Sequence, residues 1–271
     1  MPRLTGPGHQ MLCGWVLAVA VGLTAQGPAQ AAGGRDGRQA AVLTVSAAIS
    51  LTDALEAAER AYQTRGDGPV RFNFAASNLL ARQIVSGAPV DLYISADETQ
   101  MDVAAHAGAI DVNSRIDLLG NHLAIIARPD HPGLAAVEGL LDPSIRRIAI
   151  GDPSAVPAGV YARLFLQTAG LWDRLQAKLV PVGNVRAALA AVENGSANVA
   201  IGYESDAAAA RHARVVLLID GPRAPRIVYP AAIVSRSRNT AAAARFLSFL
   251  RGAEATRIFK TFRFVPLAPL P

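Results

Sequence analysis

The chain has 271 residues, 51% hydrophobic and 17% charged, which suffices for one large or two modest cores and excludes an intrinsically disordered chain. Its formal charge of +5 suits an anionic partner, yet the arginines stand singly among Asp and Glu with no basic run or interleaved aromatics, so nucleic acid is excluded. The single cysteine, Cys13, allows neither an intrachain disulfide nor a thiolate metal site, and the five histidines (His9, His106, His122, His131 and His212) fall in separate segments without ligand spacing.

Residues 1–31 read as a signal peptide. Arg3 supplies a positive start, 11–25 form a mostly apolar stretch shorter than the ~20 residues that span a bilayer, and Ala29-Gln30-Ala31 has the small-x-small pattern of a cleavage site. Cleavage near Ala31 predicts an exported, periplasmic chain. Cys13 precedes most of the apolar run, the wrong place for a lipoprotein anchor, and no later segment is long and uncharged enough to cross a membrane.

After a polar lead-in, 42–46 form a short β-rich run, and 51–62 place Leu51, Leu55, Ala58 and Tyr62 on one helical face. The alternation of 70–74 predicts a strand, 79–85 a helix and 91–94 a short buried strand. Further strands are expected at 123–127, 147–150, 179–182, 199–201, 215–219 and 227–234, with helices at 159–168, 185–193 and 206–211, then 241–250 and 253–262. Strands alternating with helices imply an α/β fold built on mainly parallel sheets flanked by helices. So many strands exceed one compact sheet, and the stretches at Gly120-Asn121 and Tyr229-Pro230 look like crossings between two lobes. Lobe one is expected to hold 32–120 plus 231–271, and lobe two 121–230.

Small and polar residues recur where strands end and helices begin: Ser50, Ser77, Pro157-Ala158-Gly159 and Asn184-Val185. Helix starts expose unpaired N–H groups, and in open α/β sheets the strand C-termini face one crevice, so donors from both lobes could converge on an anion there. Each position also has an ordinary structural reading. Serine before a helix is a common N-cap, Pro at a helix start is routine, Asn184 suits a cap better than a ligand, and Tyr203 could be a core aromatic with its hydroxyl at the surface. Spacing alone reaches an anion site and no further.

Several strings carry a more specific likeness: Ala47-Ala48-Ile49-Ser50-Leu51-Thr52-Asp53, Phe74-Ala75-Ala76-Ser77, Gly87-Ala88-Pro89-Val90-Asp91-Leu92-Tyr93, Val156-Pro157-Ala158-Gly159, Asn184-Val185-Arg186 and Gly202-Tyr203-Glu204-Ser205-Asp206. In these, and over nearly the whole mature chain, the sequence resembles the periplasmic molybdate-binding proteins of ABC transporters. The resemblance implies a two-lobed, type II periplasmic-binding-protein fold with the ligand in the cleft between lobes. It implies capture of molybdate or tungstate by neutral donors: Ser50 and Ser77 through hydroxyl and N–H, Ala158 and Val185 through backbone N–H, and Tyr203 through its hydroxyl. It also implies delivery to a membrane permease by a monomer that is not an enzyme, needs no cofactor and binds molybdenum only as its oxyanion. Two chemistries compete with it. A sulfate, thiosulfate or small organic-anion binder shares the architecture; a serine hydrolase using Ser50 or Ser77 would need a G-x-S-x-G string and a His–acid pair that the sequence lacks. A ligand-sensing regulator would need a DNA-binding segment where 1–41 carry an export signal.

Overall fold

The computed structural model describes residues 42–267; the expected signal peptide with Cys13 and its cleavage site, His9, the lead-in and residues 268–271 lie outside the described residues. The chain enters on β1 (Leu43–Ala48), almost wholly buried, and passes through a 3-10 turn, Ile49–Leu51, into α1 (Thr52–Thr64). Leu51, Leu55, Ala58 and Tyr62 are all buried, so this helix is held by its apolar face. There follow β2 (Val70–Ala75), α2 (Ser77–Val85), β3 (Leu92–Ile94), α3 (Glu98–His106) and β4 (Ile116–Asn121). Neither α3 nor β4 is evident in the sequence. The first buries only Met101 and Ala104, too narrow a stripe to read, and its start is set by Asp97, whose carboxylate accepts the Gln100 N–H at 2.9 Å.

After His122 the chain begins β5 (Leu123–Ala127), then β6 (Ile148–Gly151), α4 (Pro157–Thr168), α5 (Trp172–Leu175), β7 (Leu179–Val182), α6 (Val185–Glu193), β8 (Val199–Tyr203), α7 (Glu204–Ala208) and β9 (Arg214–Ile219). The helix α7 sits earlier than the expected 206–211. It starts where Asp206 accepts the Tyr203 N–H, and beyond it the Glu193 carboxylate takes the N–H groups of Arg211 and His212, drawing the chain toward the end of α6. β10 (Ile227–Ile233), α8 (Thr240–Arg251), α9 (Ala253–Thr261) and β11 (Val265–Pro266) complete the described chain. Among the described residues no helix is long and apolar enough to cross a membrane.

The strands form two sheets, ordered β11-β4-β10-β3-β1-β2 and β7-β6-β8-β5-β9. Both are mixed, which corrects the expectation of mainly parallel sheets. The βαβ portions are parallel as expected (β1 with β2 and β3, β6 with β7 and β8), but β10 runs against β3 and β4, and β5 against β8 and β9. The reason is topological: the chain leaves one sheet for the other and comes back, and the strands at the crossings meet their neighbours head to tail. The first crossing is the single residue between β4 and β5. The second is 220–226, because β10 already pairs within the first sheet from Ile227, and at Tyr229-Pro230 the structure instead has a register shift in that strand.

On the first sheet, α8 packs against α1 and β10, where Phe246 and Phe249 meet the Tyr62 ring at 5.0 Å each. On the second, α4 and α6 cover β6 and β8. The N-termini of both helices thereby point to the face where β6 and β8 end, opposite the ends of β1 and β2 and the start of α2.

Candidate functional site

Near these chain ends lies a small pocket lined by thirteen residues, none of them charged. The five residues singled out from the sequence, Ser50, Ser77, Ala158, Val185 and Tyr203, all line it. All five are buried, with at most 4% of their surface exposed. Other pockets among the described residues have charged side chains in their walls.

Each wall is a helix start. Ser50 lies in the 3-10 turn after β1, Ser77 is the first residue of α2, Ala158 the second of α4 and Val185 the first of α6. N–H groups at such positions have no carbonyl one turn back to bond, and their dipoles place partial positive charge at the helix end. Pro157, at the first position of α4, carries no N–H and leaves that of Ala158 as a leading donor. Neither serine acts as a cap: the N-cap residues are Ala48 and Ala76, and no side chain bonds the helix start in either place. Asn184 does cap, its Oδ1 accepting the Ala187 N–H at 2.9 Å.

The side-chain donors are held from behind. The Ser77 oxygen accepts the Ala96 N–H at 2.9 Å, and its carbonyl accepts the Tyr93 hydroxyl at 3.0 Å. The Ser50 hydroxyl meets the Tyr229 hydroxyl at 3.0 Å. Tyr203 is 1% exposed, and its buried hydroxyl oxygen has no hydrogen-bond partner among the described residues. Leaving a buried hydroxyl unpaired costs about 1–3 kcal/mol. Burial, with Tyr229, Tyr161, Asp97 and Asp206 nearby, pushes that phenol well above its ordinary range, so it stays a neutral donor.

Charge is kept just outside. Arg186, next to Val185 on α6, bonds Asp53 of α1 at 2.6 Å across the cleft and places Nε 3.1 Å from the fully buried Asp206 carboxylate. Burial raises Asp206 to about 7, with Arg186 and the Tyr203 N–H opposing. Sequence reasoning missed this pair and the Asn121–Tyr229 contacts behind Ser50, because their partners lie more than a hundred residues apart. The nearest sequence signal was an arginine placed directly after a helix-start residue. His122 approaches Glu204 at 3.3 Å, but neither bonds a pocket serine.

A pocket of this kind can hold a compact anion whose atoms only accept hydrogen bonds. None of its lining residues is an acid or base.

Comparison with known proteins agrees. Residues 43–264 match the family of bacterial extracellular solute-binding proteins. The chain is 40% identical over 234 residues to the molybdate-binding protein ModA of Escherichia coli strain K12, covering 82% of this chain and 88% of that protein. Its structure is similar to the periplasmic molybdate-binding protein of Azotobacter vinelandii, with a TM-score of 0.74 at 26% identity over 82% of this chain and 98% of that one. The sulfate-binding protein SubI of Mycobacterium tuberculosis shares the fold, with a TM-score of 0.71 at 20% identity over 84% of this chain and 88% of that one. The chain belongs to the bacterial extracellular solute-binding proteins and, among them, to the family of molybdate-binding proteins.

Proposed function

We propose that this protein captures molybdate or tungstate in the closed cleft between its two lobes and delivers it to the membrane permease of an ABC transporter. The observation that carries the reading is the pocket itself: Ser50, Ser77, Ala158, Val185 and Tyr203, drawn from both sheets, line one uncharged pocket, and the Tyr203 hydroxyl has no hydrogen-bond partner among the described residues. A tetrahedral dianion has four acceptor oxygens and no donor, so backbone N–H groups of Ala158 and Val185, hydroxyl and N–H of Ser50 and Ser77, and the Tyr203 hydroxyl satisfy it without a salt bridge. Bonds to a charged ligand contribute roughly 1.5–3 kcal/mol each, enough for tight binding after the cost of closure, while the lack of a counter-charge keeps release feasible.

In this reading the lobes are the two sheets with their helices, exchanging chain at His122 and within 220–226, while the Tyr229-Pro230 crossing expected from sequence falls inside β10 of the first sheet. The working form is a periplasmic monomer, freed of its signal peptide near Ala31, with no cofactor and no catalytic step. Neither pocket serine hydroxyl bonds a histidine or carboxylate among the described residues, which disfavours a hydrolase. A thermal-shift panel of oxyanions on the mature protein tests the assignment. Because ligand binding to the folded form adds RT ln(1 + [L]/Kd), molybdate or tungstate at ~100 times Kd raises stability by about 2.7 kcal/mol. Sulfate or thiosulfate giving an equal or larger shift would reassign the site to those anions.

A further inference from the structure

Behind Ser50 runs a chain of buried hydrogen bonds whose direction can be read. The His122 N–H donates to Asn121 Oδ1 at 2.9 Å, which fixes the amide so that its NH₂ group faces the other way. That group donates to Ser205 Oγ at 2.8 Å and to the Tyr229 hydroxyl oxygen at 3.3 Å. With its oxygen accepting from Asn121, Tyr229 has its own proton to place, and its other bonded neighbour is Ser50 Oγ at 3.0 Å. Tyr229 therefore donates to Ser50. The serine oxygen is thus engaged from behind and its proton is left for the pocket. Asn121, Ser205, Tyr229 and Ser50 are each at most 6% exposed, so water does not compete for these bonds.

From this geometry we infer that Asn121 and Tyr229 are positioning residues that hold the Ser50 hydroxyl as a donor toward the bound oxyanion, an inference that rests on the reading of Ser50 as a ligand contact. Without them the hydroxyl could turn back and donate into the protein. The relay does for Ser50 what the Ala96 N–H does for Ser77, which also engages the serine oxygen from behind. The difference is in what each depends on. Ser77 leans on its own lobe, whereas the Ser50 relay runs from Asn121, at the end of β4 beside the first crossing, through Tyr229 in β10, and the same Asn121 amide also donates to Ser205 in α7, which follows β8 of the second sheet. In this closed arrangement the donor state of Ser50 is tied to the seating of the crossing strands. Consecutive bonds of this kind also polarise one another, which strengthens the terminal donor.

The test is a double-mutant cycle in the full mature protein, read by calorimetric titration with sodium molybdate, with ligand-free melting curves to verify folding. Tyr229→Phe keeps the ring and removes the hydroxyl; it weakens binding about 3- to 10-fold, the range expected for one neutral hydrogen bond. Ser50→Ala weakens it more, by roughly 10-fold or beyond, since a donor to the anion itself is lost. If Tyr229 acts through Ser50, adding Tyr229→Phe to Ser50→Ala changes the dissociation constant by less than about 2-fold. Losses that multiply in the double variant, as a general packing role would give, overturn the relay, and so does a Tyr229→Phe protein that binds like wild type. A Ser50→Ala protein that binds like wild type instead overturns the ligand-contact reading on which the relay stands.

Discussion

Gly159, in the first turn of α4, lies so close to Gly151 at the end of β6 that a Cβ on Gly159 would stand 2.0 Å from the Gly151 carbonyl oxygen and 2.7 Å from that of Asp152. The reverse contact is also tight, since a Cβ on Gly151 would stand 3.1 Å from the Gly159 nitrogen and 2.7 Å from a Val156 methyl. Two bare backbones in contact seat the start of α4, where Ala158 lines the pocket.

Gly159→Ala follows directly. The obstructing atoms are backbone, so relief requires shifting α4 itself, and the variant loses about 3 kcal/mol of stability together with affinity for molybdate. Gly183→Ala, one residue before the Asn184 cap, meets nothing within 4 Å and serves as the control; it changes stability by less than about 0.5 kcal/mol. Chemical denaturation and molybdate titration of both variants check the contrast, and equal behaviour of the two would mean that the close approach is not what seats the helix.

The Arg186–Asp53 contact joins α6 to α1 across the cleft while Arg186 also faces Asp206, so the two ends of the guanidinium have separate roles. Asp53→Asn removes the cross-cleft charge without taking the cation from buried Asp206. A partly exposed pair contributes about 0.2–1 kcal/mol, so the dissociation constant rises roughly 1.5- to 5-fold. The change is expected in the release rate, measured by stopped-flow displacement of molybdate. Unchanged release with slower capture would show that the pair does not hold the closed form.

How much of this was legible in sequence depends on the range of the signal. Helix-start spacing pointed to an anion site and no further, and the set Ser50, Ser77, Ala158, Val185 and Tyr203 came from the family resemblance of the strings around them. Most strands were legible, since their apolar runs are short and continuous. By contrast, β4 places Asp117 beside Ile116 and ends in Gly120-Asn121, so neither alternation nor an apolar run reveals it. Antiparallel pairing of the crossing strands, the Arg186 bridge over 133 residues and the Asn121–Tyr229 link over 108 are set by the folded topology and leave no local trace.

Stability should carry a pH signature from Asp97. Burial raises its carboxyl from 3.8 to about 6, against the lowering effect of its bonds from Gln100 and Ser95. A carboxyl that holds its proton more tightly when folded contributes stability fully present below about pH 3.8 and lost as pH rises through about 6, up to about 3 kcal/mol in all. Asp97→Asn retains an N-cap acceptor for Gln100 and removes the titration. Denaturation midpoints at pH 4 and 7.5 should show wild type losing ground relative to Asp97→Asn as pH rises, with Asp206 cancelling because it is present in both. Parallel profiles would place Asp97 near its ordinary value.

The central claim is that neutral donors, including the Tyr203 hydroxyl, hold a molybdate anion, and calorimetric titration of Tyr203→Phe beside wild type tests it most directly. The ring stays packed at 5.8 Å from Tyr229 and only the donor is lost. The account predicts one-to-one binding by wild type and a dissociation constant about 10- to 150-fold higher in the variant, as for one hydrogen bond to a charged group. Val185→Ala, which keeps the backbone N–H, should bind nearly as wild type does. A Tyr203→Phe protein with wild-type affinity, beside a Val185→Ala protein that loses it, would contradict the donor cage.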